Sequence, residues 1–287
     1  MPSIEQIIKS GDGILLNGPL ALLDSTKAIE LLIYKALLEL FDNVDITNGK
    51  LSSSPKAEDF LASLDYRIFQ AMKKNGYGNA VSDFTGNFYL LTDNLQDLHQ
   101  KLGNGIIEKK DINALKRIEV QNTVSNLTEK GLYKDVIAPL RKDLYRNIMF
   151  GASLQDTENM IKGYILSTEG QDSRLLSYVN QIATDSLHQY DGSVNQMAKD
   201  KLGLNAVRYV GSLIEDSRAQ CIKWVEKDII LDTELPKEIE FAINKEIYKG
   251  KKCSGMIPGT NKDNFCILRG GYRCRHRAIG YRVKKGK

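Results

Sequence analysis

The chain has 287 residues, enough for a sizeable core and, at roughly 150 residues apiece, for about two domains. Hydrophobic residues at 42% and charged residues at 26% exclude a wholly disordered or collagen-like chain. The net charge of +4 conceals a split: residues 269–287 hold eight basic and no acidic side chains, leaving 32 basic against 36 acidic in the remainder, so a mildly acidic body carries a basic tail that is either a solvated terminus or a phosphate-neutralising tract.

The apolar segment 13–23 contains Asn17 and Pro19, has no basic flank and leads into Asp24, which reads as no secretory leader. A helix is predicted after Asp24, with Ser25 and Thr26 as caps and Ala28, Leu31, Leu32, Leu38 and Phe41 near the 3.6-residue period. Glu30, Lys35 and Glu39 interrupt its apolar run, so no uncharged stretch of about 20 residues is available to cross a bilayer. Residues 48–59 read as a linker or exposed loop, 60–72 as the next periodic run, and 75–90, rich in Gly, Asn and aromatics, as irregular.

Further helices are predicted at 94–102, 111–127 and 132–150, the last kinked or divided by Pro139. Gly151 then ends that helix and Ser153 with Asp156 opens another to about Leu166. After a polar break at 167–173, Leu175, Tyr178, Val179, Ile182, Ala183 and Leu187 mark an amphipathic helix. Beyond Asp200 the pattern changes: 206–213 is β-prone, Ser217 is placed to cap a short helix carrying Cys221 and Trp224, 229–231 looks extended, and Pro236 opens one more helix. The expected class is α+β, a mainly helical N-terminal region followed by a small α+β C-terminal module.

All four cysteines, Cys221, Cys253, Cys266 and Cys274, lie in the last quarter of the chain. In a reducing compartment such clustered thiols mean metal ligands or buried packing residues rather than disulfides. Spacings of 31, 12, 7 and 1 residues separate these cysteines and His276 in order, with no Cys-x-x-Cys knuckle. Cys221, Cys274 and His276 offer two thiolates and an imidazole, which Cys253 or Cys266 would complete to a tetrahedral zinc site. The alternative is that Cys221 and Cys274 are small buried residues pinning a loop-rich module, with Asp216 paired to Arg218 or Arg275.

Catalytic arrangements draw on the same residues: a Cys221 nucleophile with His276 as base and Asp216 as orienter, or a metal-dependent nuclease in which His276 activates water. His188, three residues after Asp185, reads as a solvated helix position, and His99 sits in a polar helix with no cysteine nearby. No Gly-Lys-Ser or Gly-Lys-Thr follows Gly76, Gly78, Gly103 or Gly105, so no nucleotide loop is expected.

Taken together, Asp216 and Arg218, then Cys221 and Trp224, the Gly and Pro-containing run around Pro258, and the closing Cys274, Arg275 and His276 resemble the C-terminal module of the phage head-morphogenesis family, the Mu F-like minor head proteins of tailed phages and prophages. That module carries an Asp-x-Arg element, a Cys or His a few residues on, a Gly and Pro-containing loop, and a closing Cys-Arg-Cys or Cys-Arg-His. The resemblance spans residues 140–282 and is closest across 208–277. One departure is Ile182-Ala183-Thr184-Asp185, where many members have an Ala-Arg-Thr-Glu type sequence, so no role of that arginine carries over.

The resemblance implies a helical region at 1–139 of unassigned role, the helical part of the head-morphogenesis core at 140–200, and a small Cys/His-containing α+β module with a basic tail at 201–287. It implies a non-enzymatic minor protein of the virion head, present in the host cytoplasm during assembly and contacting the portal or major capsid protein. Phage DNA is a further implied partner, met through Arg269, Arg273, Arg277, Arg282, Lys284, Lys285 and Lys287, and no membrane partner is implied. Zinc is the one cofactor the residues suggest, and the rival expectation is a metal-dependent nuclease or other enzyme built on the Cys/His module.

Overall fold

The computed structural model describes residues 2–271 and 273–284. The fold is α+β, 64% helical with small sheets. It opens with α1 (Ile4–Asn17) and α2 (Leu20–Leu38). The second helix begins ahead of the predicted caps, because Pro19 needs no N–H at a helix start; Thr26 lies inside it, its hydroxyl donating to Leu22 O at 2.7 Å. A 3-10 turn (Phe41–Asn43) leads to the hairpin of β1 (Asp45–Thr47) and β2 (Lys50–Ser52). Asn48 and Gly49 turn it with φ of 53° and 72°, the left-handed pair a tight hairpin demands.

The expected linker at 48–59 is therefore a hairpin followed by α3 (Pro55–Ala62), whose first turn is capped by Ser54 Oγ accepting from Ala57 N. Next come α4 (Leu64–Lys74) and α5 (Tyr77–Lys101). The irregular stretch predicted at 75–90 is thus mostly helix: Tyr77, Val81, Phe84, Phe88, Leu91, Leu95 and Leu98 are all buried, a stripe at helical spacing that the intervening Gly and Asn residues disguise.

Then follow α6 (Lys109–Leu127), α7 (Glu129–Leu132), a π-helical turn (Tyr133–Ile137) and α8 (Ala138–Met149). Pro139 divides the run as expected, and the mechanism is visible. Lacking an N–H, it leaves Asp135 O without its helical donor; the π turn absorbs the irregularity, and Arg174 Nε donates to Asp135 O at 3.1 Å. Gly151, at φ +63°, ends this segment before α9 (Leu154–Ile165), where Ser153 Oγ accepts from Asp156 N at 3.0 Å. The long helix α10 (Arg174–Lys201) comes next.

The remaining elements are β3 (Ala206–Val210), α11 (Ala219–Lys227), β4 (Ile229–Leu231), α12 (Leu235–Ile243), β5 (Ile247–Tyr248), β6 (Lys251–Lys252), α13 (Phe265–Leu268) and β7 (Arg277–Tyr281). Strand β3 is the centre of an antiparallel sheet ordered β4-β3-β7. Its pairing with β7 sets Tyr209 opposite Ala278 and Val210 opposite Arg277, which fixes where the loop before β7 meets the sheet. Arg218, not Ser217, occupies the N-cap of α11; Ser217 Oγ instead accepts from Ile214 N at 2.8 Å.

Two compact units divide the chain, one of Met1–Leu16, Asn87–Glu119 and Asp185–Lys287, the other of Asn17–Gly86 and Val120–Thr184. The second unit is helical apart from its hairpin. A buried carboxylate organises it: Glu30 accepts from Ser167 N, Ser167 Oγ and Ser173 Oγ at 2.8, 2.9 and 2.6 Å, enough donors to offset its desolvation.

In the first unit the C-terminal half of α10 is buried nearly all round. One side is apolar, with Leu187, Val194 and Ala198 in the core and Tyr190 packed against Phe88 at 5.3 Å between ring centres. The other is polar: Asp191, Asn195, Gln196 and Lys199 are buried and each finds a partner. Among the described residues no helix is long and apolar enough to cross a membrane.

Candidate functional site

The site lies in the first unit, where β3, α11 and the loop before β7 converge. Tyr209 of β3 packs edge-on against Trp224 of α11 at 5.3 Å, and Trp224 against Phe265 of α13 at 5.1 Å. This aromatic wall, fully buried, is closed by Val207, Ile230 and Leu235. Burying such rings contributes a large share of a small core's stability.

Against the wall stand Cys221 from α11 and Cys274 and His276 from the loop before β7. Cys221 Sγ and Cys274 Sγ are 3.9 Å apart and Cys274 Sγ is 3.7 Å from His276 Nδ1; one ligand atom from each residue falls within 4.8 Å of the others. Tyr209 Oη is 3.5 Å from Cys221 Sγ and 3.3 Å from Cys274 Sγ, and its ring stacks on His276 at 5.6 Å. Gly270 closes the far side. A Cβ there would lie 2.5 Å from Cys221 Sγ, 2.8 Å from Tyr209 Oη and 2.9 Å from Cys274 Sγ, so only glycine lets this backbone lie against the sulfurs.

The electrostatics of the pair are lopsided. The Cys221 S–H bond holds Cys274 well below the usual thiol range against the push of burial, with His276 and Arg269 adding to the pull. The same bond, with burial, drives Cys221 far upward. Burial and the neighbouring sulfurs raise Tyr209 well above the usual phenol range, keeping it a neutral donor.

Cys221, Cys274 and His276 border a cavity of about 370 Å³, near the small end of ligand-sized pockets. His188, on α10, borders it too, is only 4% exposed, and among the described residues has no partner at either ring nitrogen; His276 Nε2 likewise has none among them. Burial, helped by Arg269, lowers His188 to about 4, so near neutral pH it is an uncharged imidazole able to accept or donate one hydrogen bond. Chemically, the cluster can hold a soft divalent ion or exchange its two thiols for a disulfide.

Several expected residues are placed differently from their sequence reading. Cys253 and Cys266 do not join the cluster: Cys253 is buried where its N–H donates to Glu246 O, and Cys266 sits in the apolar core, its thiol pushed by burial to about 12. His188 is buried rather than solvated. His99 is fully buried as well, held between Asn195 Oδ1 and Asn104 Nδ2. Asp216 and Arg275 are exposed and border the cavity, while Arg218 Nη1 donates to Gly270 O at 2.9 Å. Trp224 is core and donates to Glu238 Oε2 at 3.1 Å; Pro258 lies in an exposed turn that does not border the cavity.

The basic tail does not act as one tract. Arg277 is fully buried, its guanidinium bonded to Asp191 Oδ1 at 2.8 Å and reaching Asp12 and Ile8 O, so it cannot meet a phosphate. Gly11 makes room for it, since a Cβ there would fall 2.5 Å from Arg277 Nη1. Arg269 is buried and donates to His188 O. Arg273, Arg282 and Lys284 are exposed, and Lys285 and Lys287 lie outside the described residues.

Tyr209, His188 and Asp191 were not singled out from sequence as site residues. Their signal was present, because positions 188, 191, 192, 195, 196 and 199 share one helix face and Tyr209 sits inside the β-prone run. Neither a scan of protein-family models nor searches of curated proteins and of solved structures return a match for this chain.

Proposed function

We propose that this chain is a minor structural protein of a tailed phage or prophage head, acting in assembly at or near the portal and in the packaging or delivery of phage DNA. What supports the reading is one convergence. Of the residues that carry the family resemblance, Asp216, Arg218, Cys221, Cys274, Arg275 and His276 come from two segments far apart in sequence yet border a single cavity. In this reading the module is a rigid knob pinned by its aromatic wall, the helical remainder meets the portal or major capsid protein, and exposed Arg273, Arg282 and Lys284 face DNA.

The test is co-assembly. Tagged full-length chain produced together with the portal and major capsid proteins of the same phage should sediment with heads or portal rings. Free chain at the top of the gradient, beside heads of normal yield and composition, overturns the proposal.

A second reading, a metal-dependent nuclease or other enzyme, is favoured by the ring nitrogens of His188 and by His276 Nε2, which border the cavity without a partner among the described residues. It predicts metal-dependent nicking of plasmid DNA that His276→Gln abolishes without lowering Tm; no nicking with zinc, manganese or magnesium removes the nuclease.

A further inference from the structure

We propose that Cys221, Cys274 and His276 bind one zinc-class divalent ion whose fourth coordination position opens onto the cavity, where His188 bonds the water or anion that fills it. This goes beyond the head-protein reading and stands or falls separately from it.

The donor set comes first. Two thiolate-forming sulfurs and an imidazole select zinc or cobalt over magnesium or calcium, which take oxygen. Geometry comes second. With Zn–S near 2.3 Å and Zn–N near 2.0–2.1 Å, a tetrahedral site has S···S edges of about 3.8 Å and S···N edges of about 3.6 Å. The 3.9 Å and 3.7 Å separations are close to both, and all three ligand atoms lie within 4.8 Å of one another.

Third, the surroundings are those of a supported ligand set. Tyr209 Oη reaches both sulfurs, the kind of outer hydrogen bond that orients thiolate ligands, and Gly270 leaves the sulfurs unobstructed. Fourth, coordination through Nδ1 turns Nε2 of His276 into a donor, and that atom has no partner among the described residues. His188 adds two further unpartnered ring nitrogens on the same cavity. Buried polar atoms without partners are rare; three of those found among the described residues belong to the two histidines that border this cavity, which points to an occupant.

Among the described residues no fourth Cys, His, Asp or Glu completes the set. Three protein ligands with an open position are the arrangement of exchangeable rather than sealed zinc sites.

The experiment uses the reduced, full-length chain and cobalt(II) as the probe. Titration is expected to give one ion per chain, with thiolate-to-cobalt charge transfer and the intense visible bands of tetrahedral cobalt. Thiocyanate should then shift the visible bands, and His188→Ala should weaken that shift several-fold while leaving the cobalt stoichiometry at one. Cys274→Ser and His276→Gln should each lose tight uptake, and Cys253→Ser should keep it. Because the variants could fail to fold, X-ray absorption of the zinc-loaded wild type supplies an independent reading of two sulfur ligands. No uptake by reduced wild-type chain overturns the proposal. So does uptake without thiolate charge transfer, uptake retained in Cys274→Ser, or visible bands that thiocyanate leaves unmoved.

Discussion

Lowering the pH should destabilise the first unit through its two buried histidines, His99 and His188, and the His99 share can be worked out. The ring is fully buried, with Nε2 3.1 Å from Asn195 Oδ1 and Nδ1 3.0 Å from Asn104 Nδ2. An amide nitrogen can only donate, so Nδ1 accepts and Nε2 carries the proton. A second proton would break the Asn104 bond and place a charge in the core. Burial accordingly lowers the imidazole from 6.5 to about 4. Between those values the unfolded chain binds the proton and the folded one does not, so stability falls as pH falls. The full difference is worth about 3 kcal/mol, of which roughly 2.5 kcal/mol is lost between pH 7 and pH 4.5. Trp224, the chain's single tryptophan and fully buried in this unit, reports unfolding by fluorescence in urea at each pH. His99→Gln retains a donor and an acceptor without a titrating ring, and should remove that much of the pH dependence. An NMR titration showing His99 protonating near 6.5, or identical pH slopes for wild type and variant, refutes the reasoning.

Gly270→Ala should cost about 1–3 kcal/mol through overpacking against both sulfurs and the Tyr209 hydroxyl; urea unfolding unchanged from wild type would show that this backbone does not lie against them. Arg277→Met should cost about 3–5 kcal/mol because it strands Asp191 in the core, and adding Asp191→Leu should recover most of the loss; a double variant no more stable than the single one contradicts a buried ion pair. Replacing Arg273, Arg282 and Lys284 by alanine should reduce the slope of log K against log salt for DNA by about 2–3 at unchanged Tm, and an unaltered slope excludes them as phosphate contacts.

The sequence was informative where local chemistry decides structure. Ser153 with Asp156, Gly151, Pro139 and Pro236 each act at the position their capping or breaking chemistry requires. It misled where composition masked periodicity. Gly78, Gly86, Asn79 and Asn87 suggested irregular structure in a helix whose stripe of Tyr77, Val81, Phe84 and Phe88 decides its structure. The C-terminal half of α10 was hard to read for a different reason. An amphipathic reading assigns polar residues to solvent, yet Asp191 and Asn195 face protein because Arg277 and His99 supply their complement. Such complements lie about a hundred residues away, and no local pattern reveals them. The Cys221, Cys274 and His276 grouping was legible from residue type alone; exclusion of Cys253 and Cys266 was not, since it follows from which face of α13 and which end of β6 each occupies.

The buried polar groups of the first unit sort into two kinds, and the sorting bears on what the cavity does. Glu238 takes Lys223 at 2.6 Å, Lys227 at 3.0 Å and Trp224 Nε1 at 3.1 Å, and although burial pushes its carboxyl up, these bonds outweigh it and hold it below the usual range. Lys199 meets Asp232 at 3.0 Å, and Arg277 meets Asp191. Each of these has a charged or hydrogen-bonding partner within the protein and serves to fix one element on another, although Asp191 Oδ2 and Asp232 Oδ1 find no partner among the described residues. His188 and His276 differ. Their unpartnered nitrogens border the one space they share, and leaving such an atom unsatisfied costs about 1–3 kcal/mol. A fold that complements a guanidinium in its core could have complemented two imidazoles by the same means, or replaced them with apolar residues at no such cost. That it does neither, and sets both beside two cysteine sulfurs 3.9 Å apart, is better explained by a bound species reaching them from the cavity than by the demands of folding alone.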